Sequence, residues 1–134
     1  MLDTNVLIAA LRSRRGASNK LLSLVGTGAF TSVISVPLVL EYEDAALRQL
    51  EELVYTADEV REIIDYLCAT SKPQPIYYLW RPFLPDAKDD MVLEAAVAGG
   101  CDAIVTFNRR DFRGIGRFGL TARLPRDLLK ELDR

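Results

Sequence analysis

The chain of 134 residues contains no histidine and only two cysteines, Cys68 and Cys101. Without histidine there is no Ser-His-Asp triad, no imidazole acid–base pair and no His-ligated zinc. Two cysteines distant in sequence make neither a structural zinc site nor a disulfide framework. Both are expected to be buried thiols in a reducing cytoplasm. No run of about 18 apolar residues occurs, so no membrane span is predicted. The N-terminus shows no basic segment followed by an apolar core, so no secretory signal is predicted. Chemistry in such a chain must rest on carboxylates, hydroxyls, amides and cations. The metal suited to that donor set is a hard, oxygen-ligated cation, Mg²⁺ or Mn²⁺.

What is present is charge, unevenly spread around a net of -2. Residues 1–40 hold one acid, Asp3, and four bases, Arg12, Arg14, Arg15 and Lys20. Residues 109–134 hold eight bases against four acids, and the middle of the chain is strongly acidic. A basic rim around an acidic centre suits a polyanion held over a cation site; two solvated basic segments would give the same pattern.

The length allows one domain, residues 1–134, with a real core. Met1 to Ile8 reads as the carboxyl end of a first parallel strand that turns into a helix. Ser18 is a candidate cap for a helix through Leu21, Leu22, Leu24 and Val25. Ala29 to Val36 alternates as a second strand, and Pro37 opens a helix containing Glu41 and Tyr42. Thr56 with Glu59 makes a capping box for the helix that follows. Lys72-Pro73-Gln74-Pro75 reads as a break, and Ile76 to Leu79 as a short strand. The cluster Asp86, Asp89 and Asp90 starts a helix that ends at Gly99-Gly100. Ala103 to Phe107 is a strand of the buried parallel kind, Leu120 to Ala122 a weak last strand, and Pro125 opens a final helix. Strands alternating with helices predict an α/β fold, a three-layer α/β/α sandwich around a mostly parallel sheet.

That order puts Asp3, Glu41, the 86–90 acids, Asn108 and Asp111 after strand ends or at helix starts, where such folds bind ligands. Two carboxylates 4–5 Å apart repel by roughly 4 kcal/mol at an effective dielectric near 20, and a divalent ion removes that repulsion. Each residue also has an ordinary explanation. Acids in a first helical turn complement the dipole. Glu41 reads equally as a solvated helix residue, Asp111 as a loop residue or cap, and Thr4 and Asn5 as caps. Asp3 is harder to dismiss, because a carboxylate after a buried strand costs desolvation unless it is paired.

Four stretches together carry a specific resemblance: Leu2-Asp3-Thr4-Asn5-Val6-Leu7, Ser35 to Glu43, Asp89 to Ala96, and Ile104 to Phe112. They resemble, in order and spacing, the four signature blocks of the PIN-domain nucleases, most closely the toxins of type II (VapBC-like) toxin–antitoxin pairs. The resemblance implies a Mg²⁺- or Mn²⁺-dependent endoribonuclease. Asp3, Glu41 and Asp90 match the family's acids. Asp89 is the alternative register of the doublet, and Asp90 is preferred for its distance to Val105. Asn5 matches the polar residue after the first acid. Asn5, Thr106 and Asn108 would position water or phosphate, and Arg12, Arg14, Arg109 and Arg110 would hold flanking phosphates. Tyr42, Tyr77, Tyr78 and Trp80 are candidates for stacking on bases, with packing the competing role. An antitoxin partner and a homodimer are implied too, the latter through the apolar Leu21–Val25 face and the helices of residues 38–68.

There are two departures from the family pattern. Asn108 stands where the family has its fourth acid, and Asp111 is the candidate to supply the missing charge. Only Met1 and Leu2 precede Asp3, so the first strand is stunted or the true start lies upstream. The competing reading is a non-catalytic nucleic-acid-binding or scaffold domain whose acid set has decayed at Asn108. A haloacid-dehalogenase-type phosphatase would need an aspartate where Asn5 stands, and a receiver domain would need an acidic pair before its first helix.

Overall fold

The fold follows from a computed structural model that describes residues 1–75 and 83–133. The strand expected over Ile76–Leu79, and Tyr77, Tyr78 and Trp80, lie outside the described residues. Six α-helices are described: α1 (Thr4–Arg12), α2 (Ala17–Leu24), α3 (Val36–Arg48), α4 (Ala57–Thr70), α5 (Ala87–Ala98) and α6 (Pro125–Leu132). The strands are short: β1 (Val33–Ile34), β2 (Lys72–Pro73), β3 (Ala103–Val105) and β4 (Thr121–Arg123). β1 pairs with β2 and β3 with β4, both in parallel, so the molecule is an α/β fold of the expected sandwich type.

The first strand is a single bridge. Leu2 pairs in parallel with Val105, the Asp3 N–H donates to the Val105 carbonyl at 2.8 Å, and the Val105 N–H donates to Met1 at 2.9 Å. Asp3 then turns the chain into α1, which buries Val6, Leu7, Ile8, Ala10 and Leu11. Burying each large side chain of that face contributes about 1.5–3 kcal/mol, which holds the start of α1 firmly against the strands. One hydrophobic cluster runs from Met1 to Leu120, with α6 packed on it through Leu128, Leu129 and Leu132.

Local signals act as read at several helix starts. Ser35 accepts from the Leu38 N–H with Pro37 in the first turn, and Thr56 and Glu59 close a reciprocal capping box. Elsewhere the structure corrects the sequence reading. Gly16, not Ser18, precedes α2; Ser18 lies buried inside the helix, and its hydroxyl has no hydrogen-bond partner among the described residues. Leu21 and Val25 are fully buried in the chain's own core and offer no face to a partner. Lys72-Pro73, read as a break, forms β2; the Lys72 and Gln74 N–H groups donate to Ser32 and Ile34, and Pro73 needs no donor on that edge. Cys68 is exposed and Cys101 half-buried, because Cys68 falls on the solvent side of α4, whose inner face is Val60, Ile64 and Leu67. No described helix is long and apolar enough to cross a membrane.

Candidate active site

Asp3 sits where the first strand meets α1, buried to 8 % exposure. One carboxylate oxygen caps α1 by accepting from the Thr4 N–H at 2.9 Å. The other accepts from the Thr106 hydroxyl at 2.7 Å. Thr106 stands directly after β3 and itself accepts from the Asn5 amide at 3.2 Å and the Asn108 N–H at 3.1 Å. A hydroxyl has one proton and two lone pairs, so these contacts use all of it and aim its proton at Asp3. The Asn5 carbonyl oxygen accepts from the Phe107 N–H at 3.2 Å, tying α1 to the turn after β3 a second time. The result is a rigid carboxylate whose orientation its neighbours determine.

Glu41 reaches the same region from α3. The next residue, Tyr42, is buried and donates its hydroxyl proton to the Leu2 carbonyl, which fixes α3 against the first strand. Tyr42 is therefore a strut, unavailable for stacking on a base; burial drives its phenol pKa well upward. Asp86 caps α5 by accepting from the Lys88 N–H at 2.8 Å, and Asp89 follows in the first turn. Asn108 and Asp111 come from the turn after β3, where the Asp111 N–H donates to the Asn108 carbonyl at 3.0 Å.

These residues line one cleft of about 390 Å³: Asp3, Glu41, Asp86, Asp89, Asn108 and Asp111. Asp90, the acid preferred from the sequence, is engaged elsewhere. Its carboxylate accepts from the Leu84 N–H at 2.8 Å and the Phe83 N–H at 3.2 Å, anchoring the segment that leads into α5. Neighbouring residues on a helix point about 100° apart, and the docking of α5 turns Asp89 to the cleft and Asp90 to that segment. Asp86, which the sequence grouped with the helix start and gave no role, is the further acid on the cleft.

The electrostatics agree with crowded acids. Burial raises the Asp3 pKa most; the bonds from Thr106 and Thr4 oppose this, and the charges of Glu41 and Asp111 push it up further. Asp89 is pushed up to about 7, by burial first and then by Asp3, Asp86, Asp111 and Glu41. Two cations also line the cleft, Arg12 and Lys88. Arg12 is already paired with Glu52 at 2.7 Å and donates to the Gln49 side-chain amide oxygen Oε1 at 2.6 Å.

The other arginines separate into two kinds. Arg14 lies away from the cleft, its guanidinium 4.8 Å over the Tyr55 ring and bonded to the Val54 carbonyl. Arg109 and Arg110 are exposed on the turn after β3 and line a groove of about 640 Å³ with Phe107 and Leu124. Asn108 and Asp111 belong to both this groove and the cleft, so the two are continuous. A further cavity of about 420 Å³ opens at the amino ends of the strands, but among the described residues Asp102 is its only acid.

The donor set of the cleft is all oxygen, it carries excess negative charge, and burial together with the neighbouring acids pushes the Asp3 and Asp89 carboxyls upward. That chemistry fits a hard divalent cation. Among the described residues, no three acids stand together closely enough to enclose an ion as they are. The cleft is thus a gathering of ligands, not a finished coordination shell.

The sequence profile of the PIN domain matches residues 1–110. The chain belongs to the PIN-domain family. Proteins of this kind are generally nucleases that use divalent metals and act on nucleic acid. No curated protein matches the chain.

Proposed function

We propose that this PIN domain is a Mg²⁺- or Mn²⁺-dependent endoribonuclease. The observation that carries the reading is the convergence of Asp3, Glu41, Asp86, Asp89 and Asp111 on one cleft at the carboxyl ends of the strands. Asp3, Glu41 and Asp89 are the proposed core of the ion's ligand set. Asp111 replaces the charge that Asn108 lacks, and Asn108 offers its side-chain amide oxygen. When bound, the ion would neutralise charge on the phosphorus centre and lower the pKa of an attacking water. Thr106 and Asn5 keep the Asp3 carboxylate turned toward that position through their bonds. Arg109 and Arg110, exposed on the adjoining groove, hold phosphates flanking the scissile one. Asp90 positions the helix start and is not a ligand in this reading. RNA cleavage is expected with Mg²⁺ or Mn²⁺ and expected to stop when EDTA removes the metal. Cleavage that persists in EDTA would contradict the proposal.

We further propose a cytoplasmic toxin with a cognate antitoxin, on the strength of the four sequence blocks, and a homodimer. The dimer contact is assigned to α3, where Val36 and Leu40 are 73 % and 63 % exposed one helical turn apart. Leu40→Glu is expected to shift sedimentation from dimer to monomer at tens of micromolar. A wild-type monomer at that concentration would remove the dimer from the account.

A further inference from the structure

Two phenylalanines flank the turn after β3, and they go opposite ways. Phe112 is buried in the core, while Phe107 is left 46 % exposed. Burying a phenylalanine ring contributes about 1.5–3 kcal/mol, so folding alone gives no reason to hold this one out. Single exposed apolar residues are common, and exposure by itself means little. The surroundings of Phe107 are what distinguish it. It lies on the groove with Arg109, Arg110 and Leu124, and this groove opens into the acid cleft at Asn108 and Asp111. Neither Arg109 nor Arg110 makes an ion pair among the described residues. The backbone beneath the ring is fixed to the site itself: the Phe107 N–H donates to Asn5 and the Asn108 N–H to Thr106, which in turn holds Asp3.

We infer that Phe107 is a base-stacking residue, taking the face of an unpaired base beside the phosphate that is held over Asp3. This rests on the nuclease reading above and extends it to the role of one residue, Phe107, in holding the substrate. A ring next to a cluster of acids and to two guanidinium groups that make no ion pair among the described residues matches the chemistry of a single strand. The arginines take the phosphates, the ring takes the base, and the bonds through Thr106 and Asn5 fix the distance from stacked base to reacting phosphate. Bases inside a duplex are stacked on each other and cannot lie on the ring. The specificity this gives is for an unpaired base, with little preference among the four, because every base offers a π-face.

The test is binding of a single-stranded RNA oligomer in EDTA, where no cleavage occurs. Phe107→Ala is expected to weaken binding roughly 5- to 150-fold, the range for loss of one stacked base. Its melting temperature should stay near that of the wild type, since the ring is half in solvent. Phe107→Trp, in a Trp80→Phe background that makes the new indole the sole reporter, is expected to bind like the Trp80→Phe single variant and with its fluorescence quenched. A duplex of the same sequence should bind more weakly and be indifferent to residue 107. If Phe107→Ala binds as tightly as the wild type while Arg109→Ala does not, the groove acts by charge alone and the stacking role is wrong. An unquenched indole in a complex that forms normally would overturn it too. Loss of binding in Phe107→Ala alongside undiminished cleavage by Asp3→Asn would instead leave stacking intact and refute the nuclease assignment of the cleft.

Discussion

Asp3→Asn is expected to abolish metal-dependent RNA cleavage while leaving the metal-free protein about as stable as the wild type. Asparagine caps a helix as well as aspartate, so the bond from the Thr4 N–H survives. The amide has only one oxygen for the two donors that Asp3 now serves. The Thr106 hydroxyl therefore loses its acceptor, at a cost of about 1 kcal/mol. Against this, the substitution removes a buried charge that Glu41 and Asp111 disfavour. The two effects are opposite in sign, so the stability without metal is expected to stay close to that of the wild type. Catalysis has no such offset. Losing a ligand to an ion that supplies several kcal/mol of transition-state stabilisation costs roughly a thousandfold or more in rate. Thermal melting in EDTA and an RNA cleavage assay decide the matter together. A loss of about 1–3 kcal/mol with or without metal, and undiminished cleavage, would make Asp3 a structural cap and nothing more.

Asp89 and Asp90, adjacent in sequence, are expected to respond in opposite directions. In the metal-free protein burial and the neighbouring acids push Asp89 up to about 7 from the ordinary 3.8. Between those values the folded state holds a proton that the unfolded chain has released. Stability therefore falls as pH rises through that window, and the penalty is fully present above pH 7. Asp89→Asn removes the penalty, so in EDTA at pH 8 it should melt higher than the wild type and show a flatter pH dependence from 4 to 7. It should also lose cleavage. Asp90→Ala does the reverse: it strips the Phe83 and Leu84 N–H groups of their acceptor, which costs about 1–3 kcal/mol. Cleavage by Asp90→Asn, whose remaining oxygen can still serve Leu84, should fall far less than by Asp89→Asn. The reverse ranking of the two asparagine variants would return the ligand role to Asp90.

That pair also shows where sequence reasoning stops. The four signature blocks and the all-oxygen chemistry were legible because they depend on residue type and order. The capping box at Thr56 and the entry to α3 at Ser35-Val36-Pro37 were legible because they are local, decided within four residues. Choosing between Asp89 and Asp90 needs the rotation of α5 about its axis. That rotation is set by how its buried face meets β1 and β3, a property of the packed molecule. Arg14 reads like Arg109 in the sequence, but a neighbouring aromatic, Tyr55, takes its guanidinium. Tyr42 has the composition of a stacking residue, yet its hydroxyl meets the Leu2 carbonyl from forty positions away. The strand at Lys72-Pro73 was hidden because its residues disfavour strands, and its pairing comes from Ser32 and Ile34. Phe107 carried one signal that could have been noticed: an aromatic close to two arginines inside the block that runs from Ile104 to Phe112. Only the turn shows that its ring stays out while Phe112 goes in.

The central claim is that the cleft acids bind one divalent cation jointly, and calorimetric titration with Mn²⁺ tests it without reference to any substrate. The wild type is expected to bind one ion per chain, with protons released at pH 6–7 as Asp89 gives up the one it holds in the metal-free state. Asp3→Asn and Asp89→Asn should each remove that binding, and Asp90→Asn should keep it. No saturable Mn²⁺ binding by the folded wild type, or binding that Asp3→Asn and Asp89→Asn leave unchanged, would contradict the account.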